Sequence, residues 1–298
     1  MEGHVRNPGL NRVRKKHWKL RREDIKEKEK NNKIDKPKVK KLINNLEDNY
    51  YDVIIGIPTF NRIEKLKKLI NSIYIQKSDF KYCIFIIDDG SDYKDEDFYI
   101  FNKFSDMSII RNIKNNGKKF YWETINNLFQ EIRLYSFKYF IQIDDDFTIC
   151  SNFINTTFNL FESNKKIKDS KLGAISLHLN KKNDLYGNRW ELGTSWVDGG
   201  SIYNKDFLED LDFKIEHIPL SRWKSNDKLS SGVWSFVSKK LKELKYLVAK
   251  PNFSILYHDD DGISEMNNSL RKDLKINTYN FIGDKVGCGE IFKIKLIT

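Results

Sequence analysis

Three consecutive carboxylates, Asp144, Asp145 and Asp146, stand directly after the apolar run Tyr139-Phe-Ile-Gln-Ile143. That run has the length and the β-branched and aromatic make-up of a buried strand. Unpaired carboxylates do not belong in such a core, because burying their charge is too costly. A cluster of them at a strand's end must therefore reach water, or hold a cation and a polar ligand. Successive residues of an extended chain point to opposite faces, so Asp144 and Asp146 share a side. Two carboxylates on one side offer oxygen ligands to a hard divalent cation.

Two further polar clusters follow apolar runs in the same way. Val53-Ile-Ile-Gly-Ile57 leads into Pro58-Thr-Phe-Asn-Arg62, and Cys83-Ile-Phe-Ile-Ile87 leads into Asp88-Asp-Gly-Ser-Asp92. Between them, Ile63, Leu66, Ile70 and Ile73 recur at steps of three and four with Lys65, Lys67 and Lys68 on the other side, which predicts an amphipathic helix. Tyr121, Ile125, Leu128, Ile132 and Tyr135 predict another before the Tyr139 strand. Nearly all-apolar strands alternating with helices imply an α/β fold with a mostly parallel sheet covered on both faces. In such sheets ligands bind beyond the carboxyl ends of the strands, where all three polar clusters fall.

Those turns carry a resemblance. Ile57-Pro-Thr-Phe-Asn-Arg62, Ile87-Asp-Asp-Gly-Ser-Asp92, Asn116-Gly117 and Ile143-Asp-Asp-Asp146, in this order over about a hundred residues, resemble the nucleotide-sugar half of a family 2 type glycosyltransferase of the GT-A fold. The likeness is close over 50–150 and looser over 170–260. It implies a Rossmann-like sheet flanked by helices, divided into a nucleotide-sugar half (49–150) and an acceptor half (151–298) of one domain (49–298). It implies that Pro58, Thr59, Phe60 and Arg62 wrap the nucleotide, that Asp88 accepts a hydrogen bond from a uracil-like base edge, and that Gly117 and Lys118 belong to the same nucleotide-sugar site. Asp144, with Asp145 beside it, would hold the ribose and the sugar nucleotide. Asp146 would bind Mn²⁺ or Mg²⁺, with His258 closing the metal shell and an imidazole favouring Mn²⁺.

The second half is less regular. Leu172-Gly-Ala-Ile-Ser-Leu177 and Phe253-Ser-Ile-Leu-Tyr257 read as strands, and Val233, Phe236 or Val237, Leu241 and Leu244 as a helix. Trp196-Val-Asp-Gly-Gly-Ser-Ile-Tyr203 resembles the glycine-bearing acceptor loop of the family, where Asp198 could bind hydroxyls. One departure stands out. Relatives commonly carry Glu-Asp at the start of the acceptor helix as the catalytic base, whereas this chain reads Leu229-Ser-Ser-Gly-Val-Trp-Ser-Phe236. An inverting transfer needs a base within reach of the acceptor hydroxyl, which leaves Asp227 and Asp198 as candidates.

The 298 residues carry 53 Lys and Arg against 42 Asp and Glu, a formal charge of +11. Residues 1–50 hold 16 of those bases and 8 of those acids, so the excess is concentrated there. The segment 1–48 reads as a flexible or helical basic extension with too few apolar residues for a core. Arg14, Lys15, Lys16, Trp18, Arg21 and Arg22 suit contact with a polyanion, either nucleic acid or an acidic membrane surface; a solubilising or partner-binding extension is the alternative. No apolar run long enough for a transmembrane segment occurs, nor does a secretory signal. Cys83, Cys150 and Cys288 are odd in number and lack metal-ligand spacing, as expected of core thiols in a reduced, cytoplasmic setting, whether of a bacterium or of a host cell. The expected function is metal-dependent transfer of a sugar from a nucleoside diphosphate sugar, UDP-linked, to an acceptor hydroxyl. Hydroxymethylated bases in DNA are one acceptor class and glycans, lipids and proteins are others. The alternative is a non-catalytic nucleic-acid- or glycan-binding module on the same fold.

Overall fold

The computed structural model describes residues 39–167, 170–178, 197–216, 232–251, 253–258, 281–283 and 294–297. The arm residues Arg14, Lys15, Lys16, Trp18, Arg21 and Arg22, together with Asp227 and Cys288, lie outside them. Among the described residues no helix is long and apolar enough to cross a membrane.

The molecule is mixed α/β, built on one large sheet with helices on both faces. Its centre is a parallel block in the order β4 (Met107–Asn112), β3 (Tyr82–Asp88), β2 (Tyr50–Thr59), β5 (Ser136–Gln142). The helices α1 (Ile63–Tyr74) and α2 (Gly117–Ile132) are the crossovers that parallel pairing demands. Residues in these strands alternate between two cores. Ile55, Ile57, Ile84 and Ile86 pack with Leu66 and Ile70 of α1. Ile54, Phe85, Ile87 and Phe140 pack with Ile125 and Leu128 of α2. The stretches 53–57 of β2, 83–87 of β3 and 139–141 of β5 are continuously apolar because both faces are covered.

Beyond β5 the sheet changes character. β9 (Ser201–Asn204) pairs antiparallel with β5 and with β8 (Ser170–Ser176), which runs parallel to β10 (Tyr246–Pro251). β12 (Ile294–Ile297) pairs antiparallel with β10, and β7 (Lys166–Ile167) with β8. The sheet is thus parallel in the half that carries the acid-bearing turns and mixed in the other. α3 (Phe153–Asn164), α4 (Lys205–Asp210) and α5 (Val233–Glu243) complete the layers. A separate two-stranded ribbon joins β6 (Phe147–Ile149) to β11 (Leu256–His258), shorter than the strand expected over 253–257.

At the other edge lies a correction. The end of the segment assigned to the basic extension is β1 (Val39–Asn44), antiparallel to β4. Its Lys40 and Lys41 face outward while Ile43 is buried, so the strand reads as charged even though it belongs to the sheet. Lysines on an edge strand also discourage pairing with another chain.

Candidate functional site

The carboxyl ends of β2, β3 and β5 bring the three polar turns together, and hydrogen bonds fix them to one another. Asp89 N–H donates to the Thr59 carbonyl at 2.9 Å. Asn61, in the left-handed region at φ 52°, donates its backbone N–H to Ser91 Oγ at 2.7 Å and exchanges two bonds with Asp92. Gly90 is also left-handed, at φ 73°, and a Cβ there would meet the backbone of Lys114 and Asn115 at 2.5 Å. That close approach is available only to glycine.

A cleft of about 190 Å³ opens over these turns. Its walls include Pro58, Thr59, Phe60, Arg62, Gly117, Lys118, Asp144, Asp146 and His258, nine of the residues singled out from the sequence. Arg62 sits at the entry to α1 and forks across two acids: Nη2 lies 2.5 Å from Asp145 Oδ1 and Nη1 2.6 Å from Asp146 Oδ2. His258 reaches the same place through the β6–β11 ribbon, which pairs it with Phe147, the residue after Asp146. Its Nε2 is 3.7 Å from Asp146 Oδ2.

Asp144 is wedged. Gln142 Nε2 donates to its Oδ1 at 3.4 Å, and the backbone at Gly199 passes so close that a Cβ would lie 2.5 Å from its Oδ2. Burial and the neighbouring Asp146 push the Asp144 carboxyl well above its ordinary pKa. Burial likewise pushes Asp145 up to about 7, against the pull of Arg62.

Three placements differ from the expectations. Asp88, expected to read a base, is fully buried: its carboxylate accepts from Ser91 N–H and Oγ–H and from Arg111 Nε at 3.0 Å. The acid of that turn on the cleft is Asp89, whose Oδ1 accepts from Thr124 at 2.5 Å, Asn112 at 2.7 Å and Asn116 N–H at 3.3 Å. Asp145 lies beneath the cleft floor, taking a bond from Thr59 Oγ1 at 2.6 Å. Asp198 turns back on its own loop, accepting from Gly200 N–H at 3.1 Å, and does not line the cleft.

Asp89, Asn115, Tyr121 and Trp234 line the cleft without having been singled out for it. Tyr121 was assigned to the core face of its helix, but it stands one turn after the Gly117 and Lys118 wall. Trp234 occupies the start of α5, where the expected acidic pair is missing. Ser238 binds that helix to the glycine loop, accepting from Val197 N–H at 2.9 Å.

Among the described residues no group of three or more His, Cys, Asp or Glu side chains is placed to hold a metal alone. Asp146 Oδ1, however, is buried with no hydrogen-bond partner, beside the His258 imidazole. One carboxylate and one imidazole fit a cation whose remaining ligands are phosphate oxygens and water.

Residues 54–167, which span all three turns, match the family model described as glycosyl transferase family 2. The match covers the part of the chain that holds most of the parallel block and the acid-bearing turns. Solved structures similar to it include the mannosyltransferase PcManGT from Pyrobaculum calidifontis in complex with GDP-Man and Mn²⁺, at 17% identity over 54% of this chain and 47% of that one, with a TM-score of 0.41. TarS residues 1–349 from S. aureus is 13% identical over 69% of this chain and 60% of that one, with a TM-score of 0.48. Its complex with UDP-GlcNAc matches at 0.44, again at 13% identity, over 72% and 62%. The chain therefore spans about half to three fifths of these proteins' lengths. A search among curated proteins returned no match.

Proposed function

We propose that the cleft binds a nucleoside diphosphate sugar, UDP-linked, together with Mn²⁺ or Mg²⁺, and that the protein transfers the sugar to an acceptor hydroxyl. The observation that carries this is Asp146: a carboxylate with one buried, unpartnered oxygen, set between an arginine and a histidine on a cleft at the carboxyl ends of parallel strands. Asp146 and His258 would hold the cation, which offsets charge developing on the departing diphosphate. Arg62 and Lys118 add positive charge along the same wall, and the start of α2 at Gly117 turns backbone N–H groups toward an anion. Phe60 and Tyr121 offer ring faces for the base or ribose. Asp144, held by Gln142 and Gly199, accepts hydrogen bonds from sugar hydroxyls.

On the acceptor side, Trp234 and the start of α5 close the cleft. With Asp198 turned onto its own loop, Asp227 is the remaining candidate for the base that takes the hydroxyl proton. The basic composition of residues 1–50 supports a polyanionic acceptor, DNA with hydroxymethylated bases among them, ahead of a neutral glycan or lipid. The test is hydrolysis of a panel of UDP- and GDP-sugars by the full chain with Mn²⁺. Slow release of UDP from at least one donor, abolished by EDTA, is expected; no release and no nucleotide binding with any donor would overturn the reading.

A further inference from the structure

Arg62 bridges the second and third carboxylates of the triplet, and its two contacts are unlike. Asp145 is wholly buried: its Oδ1 meets Arg62 Nη2 at 2.5 Å as an ion pair without a hydrogen bond, and its Oδ2 accepts from Thr59 Oγ1 at 2.6 Å. This contact is an anchor. Asp146 stands on the cleft, and the oxygen that Arg62 leaves free, Oδ1, has no hydrogen-bond partner. On the arginine, Nε is likewise buried without a hydrogen-bond partner. Both members of the Arg62–Asp146 pair thus keep an unused polar atom at the place where an oxyanion and a cation would meet. Buried donors and acceptors are seldom left unpaired unless a ligand supplies the partner.

Resting on the nucleotide-sugar reading above, we propose that Arg62 is a resident counter-cation that metal and diphosphate displace together. While Arg62 is forked onto Asp146, a divalent ion meets a like charge on a carboxylate whose field is already partly neutralised. Metal alone is held weakly. A diphosphate offers Arg62 an alternative bidentate acceptor. The guanidinium pivots about its Asp145 anchor, gives Nε and Nη1 to phosphate oxygens, and frees Asp146 Oδ2 for the ion beside His258. Each ligand removes an obstacle to the other, so their affinities are coupled and the coupling is reciprocal.

The test is Mn²⁺ titration of the full chain, followed by the electron paramagnetic resonance of free Mn²⁺, without and with saturating UDP. Arg62→Gln is one variant. Arg62→Gln with Asp145→Asn is the second, since it removes the wholly buried Asp145 charge together with its arginine partner. The wild type is expected to bind Mn²⁺ at least about tenfold more tightly with UDP than without, within the usual range of coupling between sites. Both variants should bind Mn²⁺ alone about tenfold more tightly than the wild type, and UDP should add less than about threefold. If the variants bind Mn²⁺ alone no better than a wild type that still takes it up with UDP, Arg62 is a static pair and the inference fails while the site stands. If the wild type takes up no Mn²⁺ even with UDP, the nucleotide-sugar reading fails and the inference with it.

Discussion

The two acid-bearing turns, Asp88–Asp92 and Asp144–Asp146, follow similar apolar strands and look alike as text, yet the fold gives them opposite tasks. In the first, Asp88 is closed on Ser91 and Arg111, and Asp89 is tied to Asn112, Asn116 and Thr124. Burial pushes both carboxyls up in pKa, and these partners pull them back. In the second, Asp145 takes a bond from Thr59 on one oxygen and an ion pair with Arg62 on the other, whereas Asp146 keeps an unpartnered oxygen on the cleft and Asp144 is held mainly by its surroundings. A polar group satisfied within the protein builds the scaffold, whereas one left unsatisfied on a cleft is waiting for a ligand.

Substitutions separate these tasks. The largest effect should fall on the scaffold turn. Asp88→Ala strips the mostly buried Arg111 of one carboxylate partner and leaves it Asp95 at 3.1 Å, so the cost should be about 3 kcal/mol of folding stability, the low end for breaking a buried pair. Urea unfolding followed by circular dichroism measures it, and Asp88→Asn should lie between. An Asp88→Asn protein that unfolds like the wild type but loses UDP affinity would erase the contrast and return Asp88 to the base-reading role.

Asp146→Ala should do the reverse. Turnover of UDP-sugar should fall by about 100-fold or more, at least the loss typical of removing a metal site's outer partner, and added Mn²⁺ should no longer tighten UDP binding. Stability should change by less than about 1 kcal/mol, because Asp145 still anchors Arg62. Undiminished turnover in Asp146→Ala, or in EDTA, would remove the metal from the proposal.

The third effect lies where the halves meet. A methyl at Gly199 collides with Asp144, so Gly199→Ala must move the loop or the carboxylate, at about 1–3 kcal/mol for overpacking. UDP-sugar affinity should fall while UDP affinity changes less, as calorimetry would show. Equal losses for both ligands would place Asp144 against the nucleotide rather than the transferred sugar.

How much of this was legible follows the same division. The parallel block was readable because strands buried on both faces are continuous apolar runs, and α1 and α2 because their stripes are regular. β4 was missed although Met107-Ser-Ile-Ile is apolar, since polar Arg111 and Asn112, needed for Asp88 and Asp89, interrupt it. β1 was hidden by its lysines, and β9 by having only four residues. Within the site, the apolar runs placed the polar turns at strand ends, and the resemblance to the glycosyltransferase family supplied the cleft walls of the first half and His258 of the second. They could not tell Asp88 from Asp89, because neighbours on a strand end face opposite ways and only the partners Arg111 and Thr124 reveal which side is the protein's. Trp234 comes from another part of the chain and carried no signal beyond an absence, the missing acidic pair.

The smallest effect concerns what holds the two turns together. Asn61 adopts φ 52°, and its side chain donates to Asp92 Oδ2 at 2.9 Å and accepts from Asp92 N–H at 2.8 Å. Asn61→Gly keeps the left-handed backbone at no steric cost but loses both bonds. Asp92 is exposed, so water replaces much of what is lost, and the expected cost is about 1 kcal/mol in all. Asn61→Ala loses the same bonds and, unlike the glycine variant, keeps a Cβ in the left-handed region without the side-chain hydrogen bonding that makes it tolerable for asparagine, adding about 1 kcal/mol over glycine. The difference between the two variants in urea unfolding therefore isolates backbone strain from hydrogen bonding. Because Asn61 lies between Phe60 and Arg62, the bridge also sets where those side chains enter the cleft. Asn61→Gly should raise the dissociation constant for UDP severalfold, more than its small loss of stability implies. A glycine variant with wild-type UDP affinity would show that the scaffold turn does not position the ligand-facing one, and that α1 alone holds Arg62 in place.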